Sequence, residues 1–543
     1  MHTRTRRALF SSIIFLGVCG VTGSIIGGHV AAQSSSDEST LRDSMKSFTD
    51  AYSVVEANYA DKLSTDLVDK AIYDGAIPGM LDTLDPHSNF FDPKAFAKMR
   101  EDQQGKYYGV GMTIQPQGKQ IVVVAPFEGT PSYKAGIRPG DVILAIDGKK
   151  TEGMDSADVA TLLKGPRGTH VVVTMGRVGS PKPLTFDLVR DEIPHLTVDL
   201  SFEIKPHIGY VHIASFGSET TAKELQDDLN KFGPDLQGLV IDLRANPGGL
   251  LNMAVDISDM FLQKGQIVVS QRGRSFPDQV YRCSHGSTAK YPIVVLVNRN
   301  TASAAEILSG ALQDHDRALI VGETTFGKGL VQTVFPIAEN TGLALTTYHY
   351  YTPSGRLIQR DYTGESRFDY FYVRDDAAPA NNTNKEVKLT DAGRTVYGGG
   401  GITPDEKIDE PKLEDHHLLE QLFLHYSFQR FSEHYFATHS SVPKDFTVDD
   451  AVLNDFKNFV QTDKDQKITF DNADFVKDAD DIRTDIKSDL FTSQFGQTRG
   501  MQVRVENDPQ IAKALTYMPE AQALEDHTLP SEQGSKPAQT ATR

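Results

Sequence analysis

Three stretches carry residue types at positions where a serine hydroxyl could be made nucleophilic. Ser303 lies in "VNRNTASAAEIL", where an apolar run ends near Asn298 and an Ala-rich helical pattern begins. A serine at such a turn projects from the end of a strand. The N–H groups of the first helical turn then face it and suit a developing oxyanion. The small neighbours Ala302, Ala304 and Ala305 leave room for a peptide backbone. Read alone, Ser303 is equally an ordinary N-cap. Lys328 lies in "GETTFGKGLVQ" and could take a serine proton, provided its amine is neutral. Its reference pKa of about 10.4 must then be lowered by burial. Phe326, Leu330 and Val331 offer apolar surroundings, and Gln332 could bind the amine without adding a charge. Read alone, Lys328 is a solvated turn lysine. In "DLRANPGGLL", Gly248 and Gly249 could turn N–H groups toward a carbonyl oxygen, or simply form a strand-to-helix turn.

Gly322, Gly327 and Lys328 also match the first part of a phosphate loop. Gly329 stands where that motif needs a magnesium-binding hydroxyl. The residues after it, "LVQTVFPI", read as a strand and not as the helix a phosphate would face. A nucleotide site is excluded on these grounds.

The elements that must hold these residues alternate strand and helix over 195–408. "IGYVHIASF", "LQGLVIDLR", "PIVVLVNR" and "ALIVGETT" are apolar runs of strand length, and "GLLNMAVDISDMFL" and "ASAAEILSGALQDH" are helical. That order predicts a buried, largely parallel sheet with helices against it and polar loops at the strand ends. Residues 106–194 read as short strands separated by Gly and Pro turns. Residues 41–105 read as helical, with Met45, Phe48, Tyr52, Val55 and Tyr59 forming a stripe for packing or for a dimer contact. Residues 409–525 read as an acidic helical extension and 526–543 as a disordered tail.

The 543 residues carry a formal net charge of -18, which disfavours general nucleic-acid binding. The only cysteines are Cys19 and Cys283, too few for a four-cysteine zinc site. Cys283, with His285 two residues on, reads as a plain surface thiol in a polar loop, and His416 and His417 read as solvated rather than metal-bound. Residues 1–33 order three arginines, an apolar stretch and small residues, as a secretory leader does. The apolar run over 8–28 is also long enough for a membrane anchor, so cleavage and retention stay open. Either outcome places the rest in the periplasm or cell envelope.

"KAGIRPGDVILAIDG" (134–148) resembles a PDZ module, and "YGVGM" falls where such modules bind a peptide carboxylate, giving Gly109, Val110, Gly111 and Met112 that role. With "DLRANPGGLL", "NRNTASAAEIL", "GETTFGKGLVQ" and "GGGITPD" following in order, residues 40–408 resemble the carboxyl-terminal processing peptidases, a family of tail-specific serine proteases. The resemblance implies an α/β core of the Clp-protease/crotonase type with an inserted-type β-rich PDZ domain. It implies Ser303 as nucleophile, Lys328 as base, Gln332 as its orienting residue, and Gly248 with the Ala304 N–H as oxyanion donors, Gly249 remaining open for the first donor. It implies protein substrates with flexible C-termini, no metal and no cofactor. An activator or adaptor protein is compatible with it. Lys164, Arg138 and Arg167 are candidates for linking the PDZ domain to the site. The extension beyond residue 409 has no counterpart in the compact family core. The rival readings are a non-catalytic PDZ scaffold and a serine hydrolase using His349 of "TTYHYYTPSG" as base.

Overall fold

A computed structural model describes residues 38–526 apart from 62, 64–69, 288, 338–339, 374–385, 411–415 and 464–467. The expected leader, Cys19 and all but the first residue of the expected tail lie outside the described residues.

The central sheet orders β1 (Val198–Lys205), β2 (Ile208–Ile213), β3 (Gly238–Asp242), β4 (Ile293–Val297) and β5 (Leu319–Gly322), with Glu406–Lys407 at its edge. Strands β2 to β5 run parallel and β1 is antiparallel to β2. Every residue of β3 and β4 is buried, as expected of strands covered on both faces. On one face lie α1 (Thr221–Phe232), α2 (Leu251–Asp259) and α3 (Ala304–Asp314). All eleven residues of α3 are buried, which its small residues permit. Gly310 is in the helix because a β-carbon there would come within 3.0 Å of Ile402 and 3.1 Å of Thr352.

The second face is covered from far along the chain. Helices Pro509–Leu515 and Met518–Glu525 set Ile511, Ala514, Met518 and Leu524 against Tyr210, Val240, Val294 and Leu296. Burying the Ile511, Met518 and Leu524 side chains is worth about 1.5–3 kcal/mol each. The earlier helices of the acidic region, from His417–Leu424 to Ala479–Phe495, share a separate core around Phe431, Phe456 and Phe491.

A second sheet pairs β6 (Leu330–Pro336) with β7 (Gly342–Tyr351), which also pairs with Ile267–Arg272. Asn89–Phe91 adds to it as a strand inside a region expected to be helical, because β7 offers a free edge over Gly342–Ala344. Residues 112–189 form the PDZ sheet, with Met112–Gln117 at one edge and Val123, Val171 and Val173 in its core. Lys106–Gly109 and Asp191–Pro194 pair antiparallel and bring the two ends of the domain together. The apolar stripe of helix Glu38–Asn58 packs little against the rest of the described chain: Met45, Phe48, Val55 and Tyr59 are exposed.

Candidate active site

Strands β3 and β4 are neighbours, so the loops at their C-terminal ends meet. Asn246 joins them. Its side chain donates to the Ile213 carbonyl at 2.5 Å and accepts the Gly248 N–H at 2.8 Å, while its own carbonyl accepts the Ala302 N–H at 2.9 Å. Thr301 donates to the Leu243 carbonyl at 2.8 Å. Gly248 is pressed against Ser303: a β-carbon there would lie 2.7 Å from Ser303 Cβ and 2.8 Å from the Ala304 nitrogen.

Ser303 has φ 56° and ψ -115°, a conformation costly for a residue with a side chain. It is held there from three directions. Its N–H donates to Glu306 Oε2 at 2.8 Å, its carbonyl accepts the Tyr350 hydroxyl at 3.1 Å, and α3 continues directly from it. The Ala304 N–H has no backbone or side-chain acceptor among the described residues. The Gly248 N–H, in contrast, is taken by Asn246 in this conformation, whereas that of Gly249 has no acceptor among them.

Lys328 is brought to the same place by the same carboxylate. Glu306 Oε2 accepts the Lys328 N–H at 2.9 Å, and Oε1 accepts the Gly327 N–H at 2.7 Å and the Thr325 hydroxyl at 2.5 Å. The backbone nitrogens of Ser303 and Lys328 therefore share one oxygen. Burial pushes the Glu306 carboxyl up, and the four donated hydrogen bonds oppose that rise. Lys328 and Gln332 are both 0 % exposed and Ser303 is 5 % exposed. Gln332 enters through β6 and donates to Thr346 Oγ1 at 3.1 Å, while its Oε1 is buried without a hydrogen-bond partner among the described residues. The "GGGITPD" stretch buttresses this loop: the Ile402 N–H donates to Thr325 Oγ1, and Asp405 accepts the Ile320 N–H of β5.

Glu306 was not singled out from the sequence, although Ser303 to Glu306 has the S-x-x-E spacing of a capping box. Asp85, His87 and Ser88 were also missed, and no local pattern marks them. His87 is 4 % exposed, ringed by Phe326, Tyr370 and Phe371, and donates to or accepts from the Tyr370 hydroxyl at 3.0 Å. Burial, then the charges of Lys328, Arg367 and Arg360, hold its imidazole well below the usual range. The rival base His349 is exposed on β7 while Ser303 is buried. Cys283 is buried rather than at the surface, and burial pushes its thiol up to about 12, which removes it as a nucleophile. His416 is not merely solvated, since its Nδ1 lies 2.7 Å from Asp478 Oδ1.

The PDZ loop forms a separate site. The carbonyls of Val110 and Gly111 accept the Ser132 and Phe127 N–H groups, while the N–H groups of Val110 and Gly111 have no acceptor among the described residues. Gly111 has φ 77° and abuts Thr130, so only glycine fits. Lys164 pairs with Glu101 and lies 4.6 Å from the Tyr107 ring centre, and Arg167 pairs with Asp191 at 2.9 Å.

The model of peptidase family S41 matches residues 207–364, and a PDZ-domain model matches residues 122–177. The chain is 40 % identical over 354 residues to a carboxy-terminal-processing protease of Bartonella bacilliformis, covering 64 % of this chain and 80 % of that protein. It is 34 % identical over 362 residues to carboxy-terminal processing protease CtpA of Bacillus subtilis, covering 66 % of this chain and 76 % of that one. A chloroplastic C-terminal processing peptidase of Tetradesmus obliquus is 38 % identical, with 52 % and 64 % covered.

Proposed function

Given that the chain belongs to peptidase family S41, the carboxy-terminal processing serine proteases, we propose that it cleaves peptide bonds with a Ser303–Lys328 dyad. The observation that carries this reading is the shared Glu306 carboxylate, whose Oε2 accepts the backbone N–H groups of both a strained serine and a fully buried lysine. Withdrawal of Lys328 from water penalises its ammonium form and favours the neutral amine. The amine accepts the Ser303 Oγ proton as Oγ bonds to the substrate carbonyl carbon. The negative charge forms on the carbonyl oxygen beside the Ala304 N–H. Gly249 supplies the second donor as the loop stands, and Gly248 supplies it if Asn246 releases its N–H. Lys328 then delivers the proton to the leaving amine, and the acyl-enzyme is hydrolysed by water whose proton returns through the same amine. Gln332 orients the lysine without introducing a charge.

The PDZ domain captures flexible C-termini of protein substrates. The unbonded N–H groups of Val110 and Gly111 suit a carboxylate, and Met112–Gln117 is an edge strand open to β-augmentation. Export to the periplasm or cell envelope, with cleavage or anchoring at residues 8–28, follows from the leader-like composition of residues 1–33. The exposed stripe on helix Glu38–Asn58 suits a homodimer contact or an activator or adaptor protein.

Ser303→Ala and Lys328→Ala are each expected to abolish cleavage of an unfolded protein substrate while the circular dichroism spectrum stays native. Full activity in either variant would overturn the dyad.

A further inference from the structure

Two hydrogen-bond paths start from one buried turn in the N-terminal region; one ends at Gln332 and the other at Gly329, next to Lys328 in the chain. Asp85 organises the turn: its Oδ1 accepts the N–H groups of His87 and Ser88, both at 2.8 Å, and its Oδ2 accepts the Ser88 hydroxyl at 2.7 Å. Having given its proton to Asp85, Ser88 Oγ accepts the Thr346 N–H at 3.1 Å, across 258 residues of chain. Thr346 Oγ1 in turn accepts from Gln332 Nε2 at 3.1 Å. The second path runs from His87 Nε2 to the Tyr370 hydroxyl at 3.0 Å. That hydroxyl accepts from Gln359 Nε2 at 3.1 Å, and Gln359 Oε1 accepts the Gly329 N–H at 2.8 Å. One path sets the carboxamide of Gln332, the other sets the backbone that follows Lys328.

Asp85, His87 and Ser88 are all buried, at 8 %, 4 % and 1 % exposure. A turn needed only to close the chain would not require three polar side chains withdrawn from water, because each must then find a hydrogen-bond partner inside the protein. Nor would it require His87 beside Lys328 with its Nδ1 unpartnered among the described residues.

We propose that Ser88 is a positioning residue for the Lys328 base, acting through Thr346 and Gln332, with His87 holding the same loop from its other end. The proposal rests on the reading of Lys328 as base. It assigns part of the catalytic apparatus to a segment that precedes the PDZ domain. When Ser88 is lost, Thr346 moves, the Gln332 carboxamide is freed to rotate, and the neutral group assigned above to orienting the amine is no longer held in place.

The test compares Ser88→Ala, Ser88→Thr and Thr346→Val as full-length protein, with kcat and KM for an unfolded protein substrate followed from pH 6 to 10. For Ser88→Ala we expect kcat at pH 7 to fall at least tenfold with KM within twofold. The acidic limb of the kcat profile moves to lower pH, because Gln332 Nε2 is held by Thr346 and the acceptor Oε1 that is lost to the amine favours its ammonium form. Ser88→Thr keeps the hydroxyl and is expected to restore the limb. Thr346→Val breaks the path one step later and should move the limb in the same direction. A folded Ser88→Ala with unchanged kcat and limb overturns the proposal. So does a loss of rate with the limb moved to higher pH. Should Ser88→Ala fail to fold, an unchanged limb in Thr346→Val overturns it instead. Lys328→Ala separates the two readings: an active Lys328→Ala sinks the dyad, whereas an inactive one beside an unaffected Ser88→Ala sinks only the positioning role.

Discussion

Glu306→Gln keeps the shape of the side chain and removes half of its accepting capacity. Glu306 takes four donors: the N–H groups of Ser303, Gly327 and Lys328 and the hydroxyl of Thr325. A carboxamide has one oxygen, so its NH2 end must face two of these. The less costly orientation places the NH2 toward Thr325 and Gly327. Thr325 already accepts the Ile402 N–H, so turning its hydroxyl away leaves its own proton without the acceptor it had. The Gly327 N–H then opposes another N–H directly. Between one and two buried donors lose their acceptor, at about 1–3 kcal/mol each, so the total falls within ~1–6 kcal/mol. Much of this relaxes by moving the Thr325–Lys328 loop away from Ser303. If ~3 kcal/mol of it appears in the transition state, kcat falls roughly 10²-fold. The assay is kcat on an unfolded protein substrate beside thermal unfolding of the same samples. Glu306→Asp, which keeps both oxygens but cannot reach both loops, should lose activity too. A Glu306→Gln enzyme with kcat within twofold of the wild type would refute the argument that one carboxylate aligns the two residues.

Gly249→Ala places a β-carbon 2.1 Å from the carbonyl carbon of Phe216 at φ 151°, so the loop must shift. It is expected to lose at least ~100-fold in kcat while binding of C-terminal peptides to the PDZ domain, measured by fluorescence anisotropy, stays unchanged. Glu433 lies against Gly140 of the PDZ domain, and burial raises its carboxyl from 4.5 to about 7. A raised carboxyl holds its proton more tightly in the folded protein. The stabilisation is therefore complete below pH ~4.5 and is lost as pH rises through 7. Glu433→Gln should melt at higher temperature than the wild type at pH 8, by up to ~3 kcal/mol at about 1.4 kcal/mol per pH unit, with the difference vanishing near pH 4.5. An equal difference at both pH values would reject this account.

Local pattern determined much of this protein. The apolar runs ending at Asp242, Val297 and Gly322 are strands because they are short and rich in Val and Ile, and the residues after Lys328 form β6 with Val331, Thr333 and Val334 in the run. Ser303 could be placed at a strand-to-helix turn, and Gly248 and Gly249 at another, because turns are signalled by nearby residues. What required the tertiary structure was every relation between such turns. The S-x-x-E spacing could have marked Glu306 as a capping residue for Ser303, but its other three donors, Thr325, Gly327 and Lys328, come close only in the folded chain. The complete burial of Lys328 was decided by the tertiary structure, since its neighbours in sequence read equally as a solvated turn. Gly248 looked free to donate, yet Asn246 holds its N–H. Asn89–Phe91 became a strand because an edge of β7 was available to it, not because its own three residues demanded it. The last helices cover the central sheet, and the Asp85–Ser88 turn reaches the active site, across chain separations at which periodicity carries no information. A sequence specifies which groups are nonpolar and where the backbone turns. Which buried donor meets which acceptor is decided only when distant elements exclude water from the same space.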